Sequence, residues 1–105
     1  MRRGPLRSAH ASHILIGSKA KAQSILDEIT TSRKPFKTFK KMARDHSTCP
    51  TAEQKGDLGW FHEKQMVPAF SKQVWKQDLA QCDCFIKTQF GFHIIWVHSR
   101  TEPSE

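Results

Sequence analysis

Two apolar runs at opposite ends of the chain, His13-Ile14-Leu15-Ile16 and Phe92-His93-Ile94-Ile95-Trp96-Val97, restrict the fold more than any other feature. Both are strand-sized and rich in β-branched residues, and Gly17 stops the first. Between them the period changes. Ala22, Ile25, Leu26 and Ile29 recur at the i, i+3, i+4, i+7 spacing of one helical face, behind a Ser18 placed to cap it. Thr30-Thr31-Ser32 breaks that helix, and Pro35 can open a second one with Phe36, Phe39, Met42 and Ala43 on one side, ending near His46. A chain that starts as a strand, turns helical and returns to strands predicts an α+β fold.

The rest of the pattern completes the expectation. Residues 47–56 mix Ser, Thr, Cys, Pro and Gly and read as a loop with one helical turn, and 57–61 as a short strand. Pro68 can start a third helix carrying Val67, Phe70, Val74 and Trp75 on and around one face. Residues 82–87 and 92–99 are read as a closing hairpin through Phe90-Gly91, giving the order β-α-α-(α)-β-α-β-β. One domain over 11–100 is expected, flanked by a basic flexible tail at 1–10 and a short tail at 101–105. With 37% hydrophobic residues, seven Phe and three Trp among them, 105 residues suffice for one core.

Charge and cysteines narrow the class. The net charge of +7 comes from 17 basic and 10 acidic residues, with no acid before Asp27, and favours anionic partners held by salt-dependent attraction. Arg2, Arg3 and Arg7 make the N-terminal tail a candidate for weak polyanion or nucleic-acid contact. An Arg-rich, acid-free start also has the look of an organelle presequence, but it is short for one, and a plain tail is the reading taken. No apolar run approaches the roughly 18–20 residues that span a bilayer, so a soluble, membrane-free monomer is expected. Three cysteines, two of them separated by one residue, give no disulfide framework. They predict a reducing intracellular compartment, the cytoplasm or nucleus, with the mitochondrial matrix as a further setting. Cys82-x-Cys84 with His62 or His98 lacks zinc-ligand spacing, and no metal or cofactor is expected.

The period of two puts His13 on the face of Leu15, and His93 on that of Ile95 and Val97. Each alone would be an ordinary core histidine with a ring nitrogen in need of a partner. Cys49 with either histidine bears a superficial likeness to a thiol protease. Leu58 and Phe70 alone would read as core.

Four blocks in order alter that reading: Ala11-Ser12-His13-Ile14-Leu15, Lys55-Gly56-Asp57-Leu58-Gly59-Trp60, Gln65-Met66-Val67-Pro68-Ala69-Phe70 and Thr88-Gln89-Phe90-Gly91-Phe92-His93-Ile94-Ile95. Together, from about Ala11 to Ser99, the chain resembles the parvulin family of peptidyl-prolyl cis/trans isomerases. The resemblance implies a parvulin-like fold of the FKBP-like superfold, with a four-stranded antiparallel sheet surrounded by helices. It also implies catalysis of rotation about X-Pro bonds, which face a barrier of about 18–20 kcal/mol. That rotation needs no cofactor, and its partners are X-Pro segments of unfolded or flexible polypeptides.

The resemblance further implies that His13 and His93 lie hydrogen-bonded side by side under the active site, with Thr88 bonded to one of them. It implies that Cys49 faces the reacting bond, where an electron-rich group disfavours amide planarity, and that Leu58, Met66 and Phe70 form the cup for the proline ring. Phe90 matches the short, phosphate-independent members and joins the substrate-binding set. Only Gly17-Ser18 separates the first strand from the first helix, without the basic insert of the phosphate-directed branch. The stretch from Lys76 to Phe85 departs from the family in lacking Gly and Pro. A parvulin-fold module that binds Pro-containing segments or nucleic acid without catalysis is the alternative.

Overall fold

The computed structural model describes residues 7–82 and 84–101. Strand β1 (Ser8–Ile16) leads into helices α1 (Lys19–Thr30) and α2 (Pro35–His46), then strand β2 (Asp57–His62) and helix α3 (Pro68–Lys76). Strands β3 (Phe85–Thr88) and β4 (Gly91–Thr101) close the fold, and short 3-10 helices occupy Pro50–Gln54 and Glu63–Gln65. The helix starts follow local chemistry. Ser18 accepts the Lys21 N–H as the cap of α1, and prolines whose N–H would be orphaned anyway open α2, the first 3-10 helix and α3.

The sheet order is β2-β1-β4-β3 with antiparallel neighbours throughout, so the first and last strands pair at its centre. One face carries Ile14, Ile16, Ile94 and Trp96, which pack with Ala22, Ile25, Leu26 and Ile29 of α1 and Phe39, Met42 and Ala43 of α2. The other carries Ala9, Ala11, Ile95 and Val97 under Phe70 and Val74 of α3, with Phe61 of β2. The α+β, four-stranded architecture expected from the sequence is the one observed.

Three boundaries differ from expectation. β1 begins at Ser8, because Ala9 is fully buried and residues 8–10 pair with both β2 and β4. Arg7 is likewise part of the fold: its Nε donates to Glu63 Oε1 at 2.8 Å and its guanidinium lies 4.7 Å over the Trp75 ring. It is therefore no tail cation, while Arg2 and Arg3 lie outside the described residues. β3 starts at Phe85 instead of residue 82, since Cys82 is buried in the α1/α2 core. β4 continues to Thr101, whose partner is Ser8.

Among the described residues no cluster of three or more His, Cys, Asp or Glu is arranged to hold a metal ion. No described helix is long and apolar enough to cross a membrane.

Candidate active site

His13 and His93 meet because of register. His13 stands opposite Ile95, and Leu15 opposite His93, so the two imidazoles occupy a diagonal on one face of the central strand pair. Ile86 of β3 stands opposite His93, which puts Thr88 on the next diagonal. The result is a polar row crossing three strands. His13 Nδ1 lies 3.0 Å from His93 Nδ1, His93 Nε2 lies 2.7 Å from Thr88 Oγ1, and the Phe90 N–H donates to Thr88 Oγ1 at 3.1 Å. Two proton assignments fit the row: Thr88 O–H donates to His93 Nε2 and His93 Nδ1–H to His13 Nδ1, or His13 Nδ1–H donates to His93 Nδ1 and His93 Nε2–H to Thr88 Oγ1. In both, His13 Nε2 is buried without a hydrogen-bond partner among the described residues.

Both rings are almost fully buried, His13 6% and His93 4% exposed. Burial, reinforced by the neighbouring His93, lowers His13 to a pKa of about 4, and burial also lowers His93 below its ordinary value. Both are therefore neutral at neutral pH, which supplies the one unprotonated Nδ1 that a bond between two Nδ1 atoms needs. Phe70 of α3 sets its ring at near right angles to each imidazole, with centroids 5.6 and 5.4 Å away.

The pair borders a cleft of about 500 Å³. Leu58, Met66, Val67 and Phe70 supply apolar wall, Phe90 stands 59% exposed at its margin, and Cys49 joins it between Thr48 and Pro50. Among the described residues no Asp, Glu, Lys or Arg lines it. All eight residues singled out from the sequence are thus brought together, seven in the cleft wall and Thr88 through its bond to His93.

Local structure explains each placement. Ser47 and Thr48 are stitched to the end of β1. The Leu15 N–H donates to Ser47 Oγ at 3.0 Å, and the Thr48 N–H donates to the Leu15 carbonyl at 2.8 Å, which carries Cys49 to the cleft. Thr51 Oγ1 then donates to Cys49 Sγ at 3.1 Å. Gly59, at φ +71°, takes up the register shift between β1 and β2 next to Leu58. Gln65 Oε1 accepts the His62 N–H at 2.8 Å, tightening the turn that presents Met66. Gly56, at φ +88°, holds the strand beneath: its carbonyl accepts the His13 N–H at 2.9 Å, and an added Cβ would lie 2.6 Å from the His13 carbonyl oxygen.

Leu15, Thr48, Pro50, Gln65 and Val67 also line the cleft and were not singled out from sequence. Leu15 shares the period of His13 and was legible in principle. The others flank Cys49 and Met66 on irregular backbone, where no period points.

An uncharged apolar cleft sized for a prolyl residue and its neighbours, beside a neutral histidine row on the sheet, is the arrangement of a parvulin-type peptidyl-prolyl cis/trans isomerase domain. The chain belongs to the PPIC-type PPIase domain family, whose profile matches residues 1–101. It is 38% identical over 86 residues to the foldase protein PrsA of Bacillus subtilis, covering 81% of this chain and 28% of that protein. It superposes with a TM-score of 0.90 and 25% identity on a structure of PEB4 and the periplasmic protein Cj1289, described as SurA-like chaperones of Campylobacter jejuni, over 96% of this chain and 42% of that one. NmPin, the parvulin of Nitrosopumilus maritimus, aligns at 30% identity and a TM-score of 0.75 over 91% of this chain and all of that one. The chain spans about a third or less of the length of foldase relatives such as PrsA.

These relatives correct the expected setting. Foldases and SurA-like chaperones, one of them periplasmic, contradict a cytoplasmic, nuclear or mitochondrial placement. Cysteine count reports only how many bridges a chain can form, and a chain with few cysteines folds equally well on either side of a membrane.

Proposed function

We propose that the protein accelerates rotation about X-Pro bonds in unfolded or flexible polypeptide segments, by a non-covalent route and without requiring phosphate before the proline. The observation that carries this is the cleft itself, apolar and free of charged side chains, with Cys49 and the histidine row in its wall. The Leu58/Met66/Phe70 wall takes the pyrrolidine ring and strips water from it. A planar amide is more dipolar than a twisted one, so transfer to an uncharged pocket weakens the resonance that resists rotation. Cys49 acts in the same sense, its sulfur placing electron density beside the prolyl carbonyl. Thr51, donating to that sulfur, fixes its direction.

The histidines organise the site, since rotation moves no proton. His93 spends both ring nitrogens on His13 and Thr88, and among the described residues Cys49 Sγ is bonded by Thr51 and by neither histidine, an arrangement unlike the thiol–imidazole pair of a thiol protease. Phosphate independence follows from the uncharged wall and from the two-residue link Gly17-Ser18 between β1 and α1.

Magnetisation-exchange NMR on a panel of X-Pro peptides, with and without phosphoserine before proline, tests the proposal. Exchange on neutral and apolar X residues, unchanged by chelator, is the expected result. Binding without exchange would make the domain a holdase, and an advantage of about 100-fold for phosphopeptides, near 2.7 kcal/mol, would overturn the phosphate argument.

A further inference from the structure

A cavity of about 370 Å³ is walled by Lys37, Lys40, Lys41 and Arg44 of α2 together with Lys55. The four α2 cations stand at i, i+3 and i, i+4 spacings, where like charges repel one another across helix turns. Among the described residues, the one ion pair of these side chains is Arg44 with its exposed neighbour Asp45 at 3.2 Å, and Lys40 rests 4.9 Å over the Phe36 ring. The helix thus holds a self-repelling cluster that a bound anion would relieve.

Lys55 ties this cluster to the cleft. It closes the 3-10 helix Pro50–Gln54 in a left-handed conformation, φ +59°, and the next residue, Gly56, is packed between the His13 carbonyl and Ala43 of α2. Cys49, at the other end of that helix, lines the cleft. Six residues at a rise of about 2 Å each put the two positions at most roughly 12 Å apart, since the Gly56 N–H on the Thr51 carbonyl at 2.8 Å folds the chain back at Lys55. An extended polypeptide covers that distance in about four residues, at ~3.3 Å per residue.

Resting on the prolyl isomerase reading, we propose that this basic cavity is a second client subsite, taking Asp or Glu side chains about three to five residues from the proline held in the cleft. An acidic polypeptide is favoured over nucleic acid because the cleft one short helix away is shaped for a polypeptide, and the span between them fits one chain occupying both.

The test compares Ala-Pro peptides carrying two Glu residues four positions before or after the proline with their Gln counterparts, on the parent and on a Lys37→Gln/Lys41→Gln/Lys55→Gln variant. For the parent at low salt, kcat/KM should be about tenfold higher on one Glu peptide, through KM, and amide signals of α2 and Lys55 should shift on titration. The preference should vanish in the variant and in the parent near 1 M salt, where screening acts within about 3 Å. Turnover of the Gln peptides should stay unchanged. The salt arm needs no mutant, so a variant that folds poorly leaves the test intact. Equal turnover of Glu and Gln peptides by the parent, with silent α2 amides, would overturn the subsite while leaving the isomerase reading in place. Shifts of α2 amides with a short single-stranded DNA but with neither Glu peptide would assign the cavity to nucleic acid instead. If no peptide is isomerised, the isomerase reading fails by itself, and the α2 shifts still decide the subsite.

Discussion

Acid should unfold this domain through His13. The unfolded chain takes up a proton on this residue near pH 6.5, but the folded one resists until about pH 4, because the ring is buried next to His93. Between those values the unfolded state binds more protons, so stability rises with pH across the window and is lost as pH falls from 6.5 towards 4. At about 1.4 kcal/mol per tenfold change in proton affinity, the full loss is roughly 3 kcal/mol from this residue. That is a large part of the 5–15 kcal/mol typical of a domain. His93 and His98, both lowered chiefly by burial, push in the same direction. Asp57 and Glu63, held below ordinary carboxylate values, lose their contributions only at lower pH, as it falls through their folded pKa.

A His13→Gln variant separates His13 from the rest. It leaves His93 imperfectly paired and should cost about 1–3 kcal/mol at pH 7.5, yet its stability should decline less steeply from pH 6.5 to 4. Urea midpoints at four pH values, followed by tryptophan fluorescence, to which the buried Trp96 contributes, measure both slopes. Parent and variant losing stability in parallel would refute the assignment of the acid transition to His13.

Gly56→Ala should destabilise the fold by about 1–3 kcal/mol, since its Cβ would strike the His13 carbonyl at a positive φ, while Gly17→Ala, with nothing within 4 Å, should be close to neutral by urea midpoint. Cys49→Asp should keep substantial exchange activity on one X-Pro peptide and Cys49→Ala should lose more, whereas a nucleophile would tolerate neither. Thr88→Val should cost about 1–3 kcal/mol and slow exchange by leaving His93 Nε2 unpaired, and Thr88→Ser should restore both.

The helices were legible because proline and serine mark their starts and apolar spacing marks their buried faces. The start of β1 was not. Ser8, Ala9 and His10 carry little strand preference, and Ala9 is buried because β1 is a central strand, a property of topology and not of local sequence. Cys82 looked like the first residue of β3, yet tertiary packing draws it into the α1/α2 core before pairing begins at Phe85. At the site, period two placed each histidine on the correct face. Their contact depends on a register that pairs Leu15 with His93, and the family resemblance supplied that link where periodicity could not. The register shift at Gly59 and the stitching of Ser47 and Thr48 to Leu15 leave no periodic trace, and Thr48, Pro50, Gln65 and Val67 of the cleft wall went unread on such irregular backbone.

The division of the fold between two faces explains why widely separated blocks converge. β1 and β4, the first and last strands, pair at the middle of the sheet, and the α1/α2 side buries the larger cluster of aliphatic and aromatic residues. That side can anchor both strands without sharing residues with the cleft. The α3 side is then free to carry a polar row that a core would not tolerate unpaired. His13, His93 and Thr88 satisfy one another there, and Phe70 packs against both rings from above. Within that row the atom left unsatisfied among the described residues is His13 Nε2, which belongs to a residue of the cleft wall. A buried polar atom left without a partner in an otherwise satisfied row is costly, and such a cost is tolerated where function shapes the site.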